Sequence, residues 1–172
     1  MLKIVAIVAG AALALVVAAA FAYSAFDVGP GKTRTETRTF HQPVRTLTLT
    51  TDSGDIELVR GARLVLRETH HYHGDQKPEV NRTLAGDALT VEDHGCTGHA
   101  FLFRGCSTDF RVEVPAGVAL RITSHAGDLR ATEIEAPALQ AETDAGDIHA
   151  TGVAAPSIRT ETDAGDVTIR AR

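Results

Sequence analysis

The amino-acid sequence predicts an all-β protein: a β-solenoid or β-roll built from two-strand repeats of about 19 residues, preceded by one N-terminal transmembrane or signal helix. Three observations carry this. From residue 119 onward the segments ALRITSHAGDLRATEIEAP, ALQAETDAGDIHATGVAAP and SIRTETDAGDVTIRAR align, with Gly-Asp pairs at 127–128, 146–147 and 165–166, and Pro137 and Pro156 at the same interval. Inside each unit apolar and polar residues alternate with the period of a half-buried strand. Ahead of them, residues 4–26 form an uncharged, mostly apolar run.

That run has 23 residues and follows Lys3. A helix needs about 20 apolar residues to cross a bilayer, and a cleavable signal has an apolar stretch of only about 7–15. Length therefore favours a retained single-pass helix, while Ala20-Phe21-Ala22 offers a small-x-small cleavage site. No Cys lies near its end, so a lipoprotein site is absent. One Lys before the run favours a cytoplasmic amino terminus with the rest outside. The expected organisation is an anchor or signal over residues 1–27, a spacer over 28–43 holding a first strand or a lead-in, and a β-strand-repeat domain over 44–172. The expected location is the bacterial cell membrane, with residues 4–26 as the membrane contact and the C-terminal domain periplasmic or extracellular.

Composition excludes more than it names. With 17 Lys plus Arg against 22 Asp plus Glu the net charge is −5, so nothing resembles the basic footprint of a nucleic-acid binder. There is no Trp and only 5% of residues are aromatic, which argues against stacking platforms. Cys96 and Cys106 are the only cysteines. In an oxidising compartment they form a disulfide closing a loop, a constraint of about 3 kcal/mol on the chain-entropy account. Two free thiols with neighbouring histidines are the alternative.

Each repeat resolves into two short strands. Leu139, Ala141 and Thr143 share one face and Gln140 and Glu142 the other; alternation resumes with Ile148 and Ala150 after Asp144-Ala145-Gly146-Asp147. Gly supplies positive φ at the third turn position, and Asp opens turns through its side-chain hydrogen bond. Such a unit cannot bury its apolar face alone, but stacking at about 4.8 Å builds a narrow core. A plain antiparallel meander satisfies the same alternation, so strand pairing, and whether Pro137 and Pro156 lie at stack edges or in hairpins, stay open at this stage. An earlier unit occurs at Leu47-Thr48-Leu49 and Thr51-Asp52-Ser53-Gly54-Asp55-Ile56. Residues 63–67, 88–91 and 110–114 read as strands, with turns at His73-Gly74-Asp75 and Ala85-Gly86-Asp87.

The series Thr51 to Ile56, Ser124 to Leu129, Thr143 to Ile148 and Thr162 to Val167, together with residues 106–117 (CSTDFRVEVPAG), resembles the bacterial putative-adhesin family, exported β-strand-repeat proteins classed as a domain of unknown function, DUF4097. The resemblance covers about residues 44–172. It implies a β-solenoid-like envelope protein and offers no catalytic residues to carry over.

Several groups qualify for chemistry. Asp52-Ser53-Gly54 matches the D-[ST]-G turn of aspartic proteases, but the equivalent turns lack the hydroxyl, and those enzymes need two such carboxylates. No serine-nucleophile elbow surrounds Ser53 either. The repeat turns, Gly54-Asp55, Gly127-Asp128, Gly146-Asp147 and Gly165-Asp166, would stack their carboxylates about 5 Å apart, where they repel unless a cation or basic side chain intervenes. Calcium suits oxygen ligands of this kind, although its nine-residue repeat pattern is absent. His70, His71 and His73 cluster, and on a strand His71 and His73 share a face. With His94 and His99 they could assemble a zinc or copper site. Phe101-Leu102-Phe103 in the Cys96–Cys106 loop would cap the core or contact a partner. In the final strand, residues 167–172, outward Thr168, Arg170 and Arg172 could discourage edge pairing, and the strand could equally be a surface through which chains associate.

The sequence thus predicts a non-enzymatic, membrane-tethered extracytoplasmic domain with a structural or interaction role, needing no cofactor and partnered by an envelope protein or a second copy. A metal-binding envelope protein using the His70–His73 cluster or the turn aspartates is the alternative.

Overall fold

Alternation over residues 139–153 becomes two strands joined by one tight turn, one strand in each of two sheets. The computed structural model describes residues 31–73, 77–96 and 105–172, which fall in a compact unit, Gly31–Arg172. Residues 1–27 and the expected anchor lie outside the described residues, as do Gly74-Asp75, His99 and Phe101-Leu102-Phe103. Among the described residues no helix is long and apolar enough to cross a membrane.

The described chain is all-β. Its strands are β1 (Gly31–Phe40), β2 (Thr46–Thr51), β3 (Ile56–Arg60), β4 (Leu64–His73), β5 (Val80–Ala85), β6 (Ala88–Asp93) and β7 (Ser107–Val114), followed by β8 (Ala119–Ala126), β9 (Leu129–Thr132), β10 (Leu139–Ala145), β11 (Ile148–Val153), β12 (Ile158–Ala164) and β13 (Val167–Ala171). The segment expected to be a spacer with a first strand or a lead-in contains β1, a ten-residue strand antiparallel to β4. Two mixed sheets result, in the orders β1-β4-β7-β3-β9-β11-β13 and β12-β10-β8-β2-β6-β5.

The repeats pair in parallel, one interval apart. Leu139 stands beside Leu120 and Ile158, and Ile148 beside Leu129 and Val167. Pro137 and Pro156 therefore sit in the connections between units, not in hairpin turns. Chain order and stacking order differ at one place. β2 and β3 lie between β6 and β7 on one side and β8 and β9 on the other, so the chain passes over its first unit to lay down the third. The expected Gly86-Asp87 turn joins β5 and β6, which pair antiparallel.

Inward residues of both sheets meet in one narrow core. Leu47, Leu49, Ile56, Leu58, Phe110, Val112, Ile122, Leu129, Leu139 and Ile148 are all buried, each contributing on the order of 1.5–3 kcal/mol of transfer free energy. The same columns open to solvent in the last unit, where Val167 and Ile169 are each 42% exposed.

Candidate functional site

Three places gather polar or apolar groups that the fold alone does not exhaust: the turn column, the β4 end of the stack and the β12–β13 end.

The turn column explains its own carboxylates. Asp109 Oδ1 accepts the Asp55 amide N–H at 3.0 Å, Asp55 Oδ1 that of Asp128 at 3.0 Å, Asp128 Oδ1 that of Asp147 at 3.0 Å, and Asp147 Oδ1 that of Asp166 at 2.9 Å. Each rung thus hands an acceptor to the next. Basic side chains meet two of the remaining oxygens closely. Arg130 Nη2 donates to Asp128 Oδ2 at 2.8 Å, and His71 Nε2 lies 3.0 Å from Asp109 Oδ2. Arg130 thus stands against this column as a basic side chain of the kind its repelling carboxylates call for. The threonine ahead of each turn has a similar task, since Thr143 and Thr162 donate to the Gly127 and Gly146 carbonyls of the preceding units. At Thr51 that position meets Asp93, and the hydroxyl donates to Asp93 Oδ2 at 2.9 Å. Burial pushes the Asp93 carboxyl above its ordinary value, and the Thr51 and Gly95 hydrogen bonds oppose this.

The Cys96–Cys106 disulfide forms, with Cα atoms 5.9 Å apart. It closes the loop between β6 and β7, where β8–β9, β10–β11 and β12–β13 are each joined by a two-residue turn, and Ser53 Oγ donates to the Cys106 carbonyl at 2.8 Å.

The histidines divide. His71 and His73 share the outer face of β4, as expected, but each finds its own neighbour: Asp109 for His71 and the Gly105 carbonyl, 3.4 Å away, for His73. His94 belongs to the segment following β6 in the other sheet, where its amide donates to the Glu79 carbonyl. The group whose ligand atoms converge among the described residues is a different one, Glu36, Glu68 and His70, all within 4.8 Å. Period two from Leu64 and Leu66 carries Glu68 and His70 onto the inward face, a signal that their polarity masked. Glu68 is 1% exposed and His70 0%. Arg82 on β5 pairs with Glu68, and Lys77 with Glu36, so two carboxylates meet two cations. This ionic cluster bridges the sheets at the β4–β5 end. Lys77 and Arg82 balance the charges of the two carboxylates.

Burial pushes the His70 imidazole below its ordinary value of 6.5, with the Lys77 charge adding to the effect and Glu68 and Glu36 opposing it. Its Nδ1 lies 3.2 Å from Thr108 Oγ1, and Nε2 is buried without a hydrogen-bond partner. The unfolded chain therefore takes up a proton that the native state refuses. Stability is complete above 6.5 and falls as pH drops from there toward the native value. His70→Gln is expected to remove this part of the slope, as measured by denaturant unfolding at about pH 7.5 and about pH 5. An unchanged slope would place the acid sensitivity elsewhere.

At the other end β12 and β13 are the free edges of both sheets. Val167 and Ile169 expose their side chains where the equivalent Ile148 and Ala150 are fully buried. Outward-facing Arg159 and Glu161 form an ion pair at 3.1 Å.

Fold and surfaces together define an all-β domain of two mixed sheets whose edge strands β12 and β13 expose Val167 and Ile169 and whose buried Glu68 and His70 lie against Arg82 and Thr108. The chain belongs to the Toastrack DUF4097 family, whose model matches residues 44–171. Similar solved structures include a putative cell adhesion protein from Clostridium sporogenes, 12% identical, covering 82% of this chain and 100% of its own, with a TM-score of 0.51. Others are a putative adhesin from Parabacteroides merdae (13% identity, 78% of this chain, 79% of that one, TM-score 0.39) and one from Parabacteroides distasonis (12%, 84%, 94%, TM-score 0.35). No curated protein matches the chain.

Proposed function

We propose that this chain is a non-enzymatic, membrane-tethered extracytoplasmic domain of the bacterial envelope, whose solenoid-like stack of 19-residue rungs presents its open end to a protein partner. The observation that carries the interaction role is the β12–β13 end, with two free strand edges and a core column exposed at Val167 and Ile169. Apolar surface joined to unpaired strand edges is a template for pairing. The non-enzymatic reading is supported by the pairing of Glu68, Glu36 and the turn aspartates with neighbouring cations and amides. Tethering is supported by the 23-residue apolar run of residues 4–26 after Lys3, and export by the Cys96–Cys106 disulfide.

Two measurements on the full chain in intact bacteria test this. Protease added to spheroplasts is expected to remove the repeat domain from a membrane-sedimenting protein, and protection would overturn the extracytoplasmic placement. A photo-crosslinking residue at position 169 is expected to give a discrete higher-mass adduct, and one at exposed position 67 none. Failure to crosslink at 169 would overturn the interaction role.

A further inference from the structure

We infer that Glu36, Glu68 and His70 form a binding site for one zinc ion, and that the Lys77 ammonium holds the ion's place in the metal-free protein. The site lies at the β1–β5 end of the stack, away from the strand edges of the interaction role, and is independent of that role.

Strand pairing builds the site. β1 and β4 run antiparallel with Glu36 opposite Glu68 and Arg34 opposite His70. Period two in β4 carries Glu68 and His70 inward beyond Leu64 and Leu66, and the three ligand atoms lie within 4.8 Å of one another. Ligands about 2.0–2.1 Å from a tetrahedral zinc ion lie about 3.4 Å apart. His70 Nε2 and Glu68 Oε2 are 3.6 Å apart, so this pair needs almost no adjustment. Glu36 stands on the edge strand with part of its side chain in water, and its movement closes the third side.

The hydrogen bonds around His70 decide which ring nitrogen is free. Asp93 accepts from Thr51 Oγ1 at 2.9 Å and from the Gly95 amide at 3.2 Å, and Thr108 also donates to it. A hydroxyl has one proton to give. With that proton directed at Asp93, Thr108 Oγ1 accepts from His70 Nδ1–H across their 3.2 Å contact. The other nitrogen of the neutral imidazole, Nε2, then carries a lone pair. It is fully buried and without a hydrogen-bond partner. A lone pair held against the Glu68 carboxylate is repelled by it, and a cation bound to both turns that repulsion into coordination. A hydrogen bond from the second ring nitrogen is also what orients a metal-bound imidazole.

The two basic residues play different parts. Arg82 donates to Glu68 from Nε and Nη2 and fixes the carboxylate plane. Each carboxylate oxygen keeps a further lone pair, so Glu68 can bind an ion while still paired. Lys77 donates to Glu36 Oε1, and 31% of its side chain is exposed. It is the member with a route into water. Exchanging its ammonium for a divalent ion adds one net charge to a cluster whose two acids and two bases otherwise balance. One imidazole nitrogen with two carboxylate oxygens suits zinc; calcium takes six to eight oxygen ligands.

The probe is zinc chloride alone, added to the full chain in detergent after treatment with a chelator. Equilibrium dialysis is expected to find a zinc ion bound by each chain through these residues, and the thermal unfolding midpoint is expected to rise with zinc concentration. His70→Gln is expected to weaken binding about 100-fold or more, and Glu36→Gln about tenfold or more. Lys77→Met is expected to tighten binding about tenfold, because the ion no longer displaces an ammonium. Zinc held adventitiously by exposed side chains would gain nothing from that change. His71→Ala combined with His73→Ala is expected to leave the affinity unchanged, which separates this site from the outer face of β4. Circular dichroism checks that each variant keeps its strand signal, and if His70→Gln does not fold, Glu36→Gln and Lys77→Met decide between them. A chain that binds no zinc would overturn the proposal. So would binding that survives Glu36→Gln undiminished, is lost with His71 and His73, or is indifferent to Lys77→Met.

Discussion

Gly146→Ala is expected to cost about 3 kcal/mol or more of unfolding free energy, a large share of the stability of a single domain. Gly146 has φ +143°, and a Cβ there would come within 2.6 Å of the Gly127 carbonyl carbon and closer still to its oxygen. Everything the new methyl meets is backbone, so no rotamer can relieve it. The same carbonyl accepts from Thr143 Oγ1, and the Gly146 N–H donates to Ala164 O at 2.9 Å. Shifting the turn would therefore disturb contacts with both neighbouring units. Gly86→Ala is the control. It also has positive φ, +64°, but nothing lies within 4 Å of the added Cβ, so only the left-handed conformation is charged, about 1–2 kcal/mol. Urea unfolding of both variants measures the difference. Equal losses would mean that stacking at the turn is not the tight contact described.

This contrast also shows why some of the molecule was legible in sequence. Parallel stacking maps each residue onto the one a full repeat later, so the spacing of Gly127, Gly146 and Gly165 and of Leu120, Leu139 and Ile158 identifies true lateral neighbours. The Thr-Asp-x-Gly-Asp turn is local chemistry and reads locally. Stacking order is not local: β6 and β7 form a rung beside β2 and β3 with a disulfide loop in place of the turn, and no spacing reveals which unit it will adjoin. The buried ionic cluster was masked for another reason. Alternation in β4 assigns Glu68 and His70 to the core, but only the arrival of Arg82 from β5, in the other sheet, makes that position tolerable for a carboxylate. His71 and His73 do share a face, yet His94 follows β6 in the other sheet, so their spacing carried no information about convergence.

Arg82→Met is expected to be as damaging as the glycine change, at about 3–5 kcal/mol, because it leaves Glu68 buried without its counter-charge. Glu68 is 1% exposed, while the Arg82 side chain keeps 17% of its surface in water. The two partners are therefore unequal. In Glu68→Leu the guanidinium retains a route to solvent, so this variant is expected to lose less than Arg82→Met. With both changed, Arg82→Met plus Glu68→Leu, the desolvation of both charges disappears and stability is expected to return close to the starting value or above it. Urea denaturation midpoints of the three variants and the parent protein measure these differences. A loss in Arg82→Met no larger than in Glu68→Leu would show that Arg82 contributes mainly through the packing of its methylene stem. A double variant as unstable as Arg82→Met alone would show that the ion pair is a net source of stability, with its Coulomb attraction exceeding the cost of burying both charges.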